Sequence, residues 1–346
     1  MPTKIAVHIS LKNESHRFLY QSMLNIAKKY SDVFIFIVVE EPILCNEKNI
    51  KIHSIGKQNI ISFKYWHSFV LNPFLTKIKV DCFITNYKLC NPKIKIPQYY
   101  FIGEDLGTLK KNTLANIEKS KAVFVTEDFI AQQLENKIDK QKLKLVYYGL
   151  VEQSINLDYN QQKSIQGEFT NGYDYYLFYV DAFSAKHSIS VLKAFSILKK
   201  WQKTSIKLLL LLDNVAELDL IPDFDNYKYK ADVVFVNTSL KNTNNLIAAS
   251  FAFIYLSDYK NINNLFFALQ ANVPAIVNNT ETNNNIFKKS VLYTNTNEVG
   301  IAANMQQLYK DEQLKNELQI EAITILEKYD SDKTAEAIYE TIKNNS

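Results

Sequence analysis

"YYLFYVDAFSAKHSISVLKAFSILKKWQKTSIKLLLLLDN", residues 175–214, reads as a strand, a helix and a second strand in succession. The runs 175–180 and 206–212 are apolar on both faces and of strand length, and the stretch 188–201 between them has helical period. A strand with no polar face must lie inside a sheet that is covered on both sides. Parallel sheets joined by helical crossovers meet that condition. The same alternation extends in both directions. Upstream it predicts strands at 4–9, 33–39, 80–85, 98–102, 122–125 and 144–148, with helical stretches at 15–30, 59–71, 109–119 and 127–137. Downstream it predicts strands at 232–236, 252–256, 274–277 and 291–294, helices at 241–250 and 264–271, and a helical end from Glu298 to Lys343 broken near "KYDSDKTAE". Between the two series "EQSINLDYNQQKSIQGEFTNGYD" (152–174) is polar and predicts a linker or an exposed excursion.

A chain of 346 residues is too long for one ordinary core, so two α/β domains are expected. No apolar run approaches the roughly 18–20 residues of a membrane helix. "MPTKIAVHIS" lacks a secretory pattern. The three cysteines (Cys45, Cys82, Cys90) have neither pairing nor metal spacing, so a cytoplasmic protein with reduced thiols is expected. Residues 1–157 hold 22 Lys and Arg against 14 Asp and Glu, and the remainder 18 against 22, giving +8 and −4. The basic half suits a weak peripheral contact with an acidic membrane face, or is a solvated lysine surface. It has no compact basic stripe with interleaved aromatics, so nucleic acid is not an expected partner. "FKYWHSFVLNPF" (63–74) reads as a helix packed on the first sheet, with a membrane surface as the alternative. No histidine pair has metal-ligand spacing, and "DFD" (223–225) lies in a polar turn, so no metal site is expected. Glycine is scarce, at seven residues, and asparagine takes its place in "KNTNNLI" and "NNTETNNNI". Asparagine tolerates positive φ, but its side chain blocks the close backbone approach that a phosphate needs.

The order of the second half resembles that of the GT-B glycosyltransferases, in particular the retaining family-four-like enzymes. "YYLFYVDAFSAKHSISVLKAFSILKK" resembles that family's strand, G-x-x-x-x-R-K loop and helix. "VVFVNTSLKNTNNLIAASFAFIYLS" resembles the approach to its donor loop, and "ANVPAIVNNTETNNNIF" the stretch after it. "YDSDKTAEAIYETI" resembles the terminal helix that crosses back to the first domain. In the first half "YYFIGEDLGTL", "KSKAVFVTEDFIAQQL" and "LKLVYYGL" resemble the acceptor-side turn, the V-S-E-F helix and the hinge strand. The resemblance implies a GT-B fold, with two doubly wound Rossmann-like domains facing a cleft. Its divisions are an acceptor-side domain over 1–155, a donor-side domain over 156–329 and a returning terminal helix over 330–346.

It also implies function. The expected reaction is metal-independent transfer of a hexose, with retention, from a nucleotide-sugar to a glycan or lipid-linked acceptor, with no other cofactor. Lys186 and His187 fall where the family clamps the donor phosphates, giving one permanent cation and an imidazole where the family has Arg and Lys. The family's two donor carboxylates fall at Lys260 and Phe267, and neither residue accepts a hydrogen bond from a ribose or a sugar. Lys260 could turn to phosphate, with Tyr259, Asn261, Asn263 and Asn264 completing the donor loop. Phe266 and Phe267 read more simply as core. Glu104 and Asp105 fall at the acceptor-side turn, as a base or as orienting groups. The glycine-rich loop after the first strand is replaced by "SLKNESHRFLY", in which Arg17, the chain's one arginine, could reach an anion. The missing carboxylates and glycines leave a second function open: a binding or scaffolding protein that kept the fold and lost the chemistry.

Overall fold

The structure, a computed structural model, describes residues 3–9, 14–39, 44–55, 63–85, 95–103, 114–115, 117–147, 149–150, 156–213, 224–237, 243–257 and 262–345; for residues 14–17, 63, 64 and 67 it describes the backbone alone. The chain divides into two units, Met1–Val151 with Tyr329–Ser346, and Glu152–Lys328.

Unit 1 runs β1 (Thr3–Ile9), α1 (Glu14–Lys29), β2 (Val33–Val39), β3 (Ile50–Ser54), α2 (Phe63–Trp66), α3 (Asn72–Ile78), β4 (Cys82–Thr85), β5 (Gln98–Ile102), β6 (Ala122–Val125), α4 (Asp128–Glu135) and β7 (Leu143–Leu145). Its parallel sheet has the order β3-β2-β1-β4-β5-β6-β7. A π-helical turn, His67–Leu71, joins α2 to α3. This segment turns Trp66, Leu71 and Leu75 into the core with Ala6, Val38 and Phe83. Its outer side keeps Tyr65 and Phe69 57% and 63% exposed, with their rings stacked at 4.3 Å. The aromatic stretch therefore both packs on the sheet and presents an apolar outer side.

Unit 2 runs α5 (Tyr159–Thr170), β8 (Tyr175–Val180), α6 (Ser188–Gln202), β9 (Lys207–Leu212), β10 (Val233–Asn237), α7 (Thr243–Ala248), β11 (Ala252–Tyr255), α8 (Ile262–Gln270), β12 (Ala275–Asn278), α9 (Glu281–Phe287), β13 (Leu292–Thr294), α10 (Glu298–Lys310) and α11 (Glu312–Leu326). Its sheet is parallel, in the order β10-β9-β8-β11-β12-β13. All six residues of β8 are buried, as a strand covered on both faces requires. Val191, Phe195 and Leu198 of α6 and Ile301, Met305 and Leu308 of α10 pack with Phe178, Leu208, Leu210 and Ile254. Each such side chain contributes about 1.5–3 kcal/mol on burial.

The expected linker at 152–174 contains α5 instead. The helix begins in a capping box: Gln161 N donates to Asp158 Oδ1 at 2.8 Å, and Asp158 N donates to Gln161 Oε1 at 2.9 Å. It ends at Asn171, with φ 54°, followed by Gly172 at φ 82°. Polar contacts dock it. Buried Gln166 donates from Nε2 to Asp174 Oδ1 at 2.9 Å and to the Ala249 carbonyl at 3.3 Å. A helix held this way has no apolar stripe, which is why periodicity missed it.

Glycine's place in turns is taken by lysine as well as asparagine. Among the described residues Lys79, Asn171, Lys203, Asn272, Lys288 and Thr296 have positive φ. The three lysines follow the ends of α3, α6 and α9, where a cation also suits the helix dipole.

The terminal helix α12 (Ser331–Asn344) belongs to unit 1. Tyr329, just before it, donates to Glu127 Oε2 at 2.8 Å, and Tyr147 donates to both Asp128 oxygens at 3.1 and 3.0 Å. The two tyrosine rings lie 5.3 Å apart. Burial, reinforced by Glu127, pushes the Tyr329 phenol far above its ordinary range. Thr334 Oγ1 donates to the Tyr147 carbonyl at 2.9 Å, and Leu150 N donates to the Tyr329 carbonyl at 2.8 Å. Gly149 makes room for this seat, since a Cβ there would lie 2.6 Å from Ser331 Cα. Three stretches far apart in sequence, "TEDF", "LKLVYYGL" and "YDSDKT", are thus brought together.

Candidate functional site

In a doubly wound sheet, ligands bind beyond the carboxyl ends of the strands where the strand order reverses. In unit 2 that point lies between β8 and β11. β8 ends in a sharp turn built by Asp181, whose side chain is 2% exposed. Its Oδ1 accepts from the successive backbone N–H groups of Phe183 at 2.9 Å and Ser184 at 2.7 Å. The buried Ser257 hydroxyl, just past β11, lies 3.1 Å from both carboxylate oxygens. Ser184 Oγ donates to the Tyr179 carbonyl at 2.9 Å and accepts from Asp181 N at 2.9 Å. The two strand exits are therefore tied together at the switch point.

The turn passes through a single 3-10 turn, Ala185–His187, into the fifteen-residue helix α6. It leaves Lys186 exposed and His187 half-buried at the helix start. No side chain caps that end of α6. The Ser188 hydroxyl, on the first residue of the helix, is buried and has no hydrogen-bond partner. The turn therefore offers a cation, an imidazole and a hydroxyl around a helix N-terminus, which together suit an anion.

Tyr179, near the end of β8, extends the cluster sideways. Its hydroxyl is 3.2 Å from Oδ1 of Asp213, which follows β9. Burial, aided by Asp213, raises the phenol well above its ordinary value, and a side-chain hydrogen bond from Asn264 opposes that shift. Asn264, in the first turn of α8, thus meets the same hydroxyl. Asn263 beside it is exposed. Phe266 and Phe267 are buried in unit 2, with Phe266 5.2 Å from the Phe287 ring. The position expected for a ribose carboxylate is therefore core.

Glu104, Asp105, Tyr259, Lys260 and Asn261 lie outside the described residues, and Arg17 lies in the first turn of α1 with only its backbone described. Among the described residues no three His, Cys, Asp or Glu side chains group as metal ligands. No described helix is long and apolar enough to cross a membrane. Asp181, Ser184, Tyr179, Asp213 and Ser257 were not singled out in the sequence. The signal for the first two is the D-A-F-S step directly after a strand, an aspartate placed to take the N–H groups two and three residues on.

No family model matches this sequence, and no curated protein does. Solved structures do match along nearly the whole chain. A glycosyltransferase from Rickettsia africae ESF-5 superposes with a TM-score of 0.75 at 14% identity, over 99% of this chain and 98% of that one. HepE from Anabaena, in complex with UDP and glucose, gives 0.71 at 13% identity, over 99% and 100%. WaaG, a glycosyltransferase involved in lipopolysaccharide biosynthesis, gives 0.68 at 12% identity, over 98% and 99%. At such identities the likeness establishes the fold, and that fold is GT-B.

Proposed function

We propose that this chain is a glycosyltransferase that moves a hexose from a nucleotide-sugar to a glycan or lipid-linked acceptor, with retention and without a metal. The observation that carries the reading is the turn after β8. On a GT-B fold, at the switch point of the second sheet, it sets Lys186, His187 and the Ser188 hydroxyl around the start of α6. Those groups would offset the charge of a departing diphosphate, which calls for no bound cation. Asn264, Asn263, Tyr259, Asn261 and Lys260 would face the rest of the donor, and Glu104 and Asp105 the acceptor hydroxyl. HepE binds UDP, so a uridine nucleotide is the first donor class to try. The exposed Tyr65–Phe69 pair on the basic first half suits a weak peripheral membrane contact at the cytoplasmic face, where a lipid-linked acceptor would lie.

One observation favours a second reading, a binding or scaffolding protein. Phe267 is buried core where a ribose carboxylate would stand, so a donor would forgo a charged hydrogen bond of about 1.5–3 kcal/mol. Titrating the folded protein with UDP, GDP, ADP, CMP and their sugar conjugates separates the two by thermal shift. A ligand at 100 times its dissociation constant adds about 2.7 kcal/mol of stability. The transferase reading expects a raised melting temperature with one base and its sugar conjugate. A flat response across the panel at millimolar ligand would favour the scaffold.

A further inference from the structure

We propose that the Asp181 carboxylate is an internal anion seated at the switch point, which tunes the affinity of the donor site by competing with a ligand phosphate for the same hydrogen-bond donors. The inference rests on the donor-site reading above and deepens it.

Two successive backbone N–H groups, Phe183 and Ser184, converge on one oxygen at 2.9 and 2.7 Å. Successive N–H groups turned to one point form the concavity by which backbones hold anions. A third donor, Ser257 Oγ, reaches the same carboxylate from the exit of the neighbouring strand, at 3.1 Å to each oxygen. The group so held is 2% exposed and stands where sheets of this winding place their ligands. An aspartate needed only to shape the turn would require the two N–H contacts. The contact from β11 goes further and spends a donor of the second strand on the same charge.

Two consequences follow. A phosphate at this point must displace the carboxylate from its donors or approach it against like charge, and either lowers affinity. The donors this turn still offers a phosphate are Lys186 and the Ser188 hydroxyl, one step along the chain toward α6. In the family resemblance Asp181 stands at the glycine of the G-x-x-x-x-R-K loop, where no side chain would compete.

The test is calorimetric titration of wild type, Asp181→Asn and Asp181→Gly with inorganic pyrophosphate and with UDP, each protein first shown to be folded by its melting curve. Asp181→Asn keeps an oxygen for the two N–H groups and removes the charge, whereas Asp181→Gly removes both. The expected result is pyrophosphate and UDP affinity higher by at least about tenfold in Asp181→Asn and higher again in Asp181→Gly. Affinity unchanged or lower in Asp181→Asn, with its melting temperature close to wild type, overturns the proposal, and that variant decides if Asp181→Gly does not fold. The two readings fail separately. Pyrophosphate affinity that rises in the variants while no nucleotide-sugar is consumed removes the transferase and keeps the internal anion. Consumption by wild type with affinities indifferent to residue 181 does the reverse.

Discussion

Replacing Asp232 with alanine is expected to destabilise unit 2 by about 3 kcal/mol, because it takes the shared carboxylate from one buried and one largely buried ammonium group. Lys199, near the end of α6, is 2.8 Å from Asp232 Oδ2, and Lys207, opening β9, is 2.6 Å from Oδ1; the two lysine side chains are 7% and 14% exposed. Lys199 also donates to the Thr204 carbonyl at 2.5 Å and Lys207 to the Ala231 carbonyl at 3.3 Å, so each has a second contact that holds it in place. The cluster joins the end of α6, the helix whose start carries the turn at Lys186, to the starts of β9 and β10. Burial by itself would raise the Asp232 carboxyl, but hydrogen bonds and charge from Lys199 and Lys207 outweigh it and hold the group below the ordinary aspartate range. A carboxyl depressed in the folded state stabilises fully above its unfolded pKa, and that contribution is lost as pH falls through the folded value. Wild type is therefore expected to lose stability on the acid side of the aspartate range, and Asp232→Ala to lose less there. Urea unfolding at neutral and acid pH measures both effects. A neutral-pH loss under about 1 kcal/mol would mean that the lysines behave as solvated surface groups.

Lys186→Ala is expected to lower turnover about 10²–10³-fold while leaving the protein folded. The side chain is exposed on a turn whose shape depends on Asp181 and Ser184, so its loss should change stability by no more than about 0.5 kcal/mol. On the transferase reading the effect should fall on turnover, because charge would build on the diphosphate as the sugar leaves. Lys186→Arg, which keeps the cation, should recover much of the loss. Steady-state kinetics and a melting curve on the two variants decide it, and unchanged turnover in Lys186→Ala would remove this residue from the clamp.

The inner strands of both sheets could be read from the sequence because burial on both faces leaves a continuous apolar run, as in Tyr175–Val180 and Leu208–Leu212. The edge strand β3, "IKIHS", was not expected, because only Ile50 of it is buried and no such run marks it. Helix α5 could not, because Gln166 and the Asp158–Gln161 box hold it where an apolar stripe would normally do so. Helix α9 hid in asparagines for a similar reason: Thr280 caps it by accepting from Asn283 N at 3.2 Å, and only Ile286 and Phe287 anchor its apolar side. At the candidate site, Lys186 and Asn264 were singled out by their places in an ordered series of strands and helices. The contact of Asp181 with Ser257 spans 76 residues and depends on β8 lying beside β11. Local spacing carries no trace of such a pair.

The most direct measurement follows a panel of nucleotide-sugars by phosphorus and proton NMR in the presence of folded protein and candidate glycan and lipid-linked acceptors. The expected result is consumption of one nucleotide-sugar, release of its nucleoside diphosphate, and a new glycosidic bond with the anomeric configuration of the donor. Every nucleotide-sugar remaining intact at millimolar concentration through a long incubation, with neither transfer nor slow hydrolysis, would contradict the account.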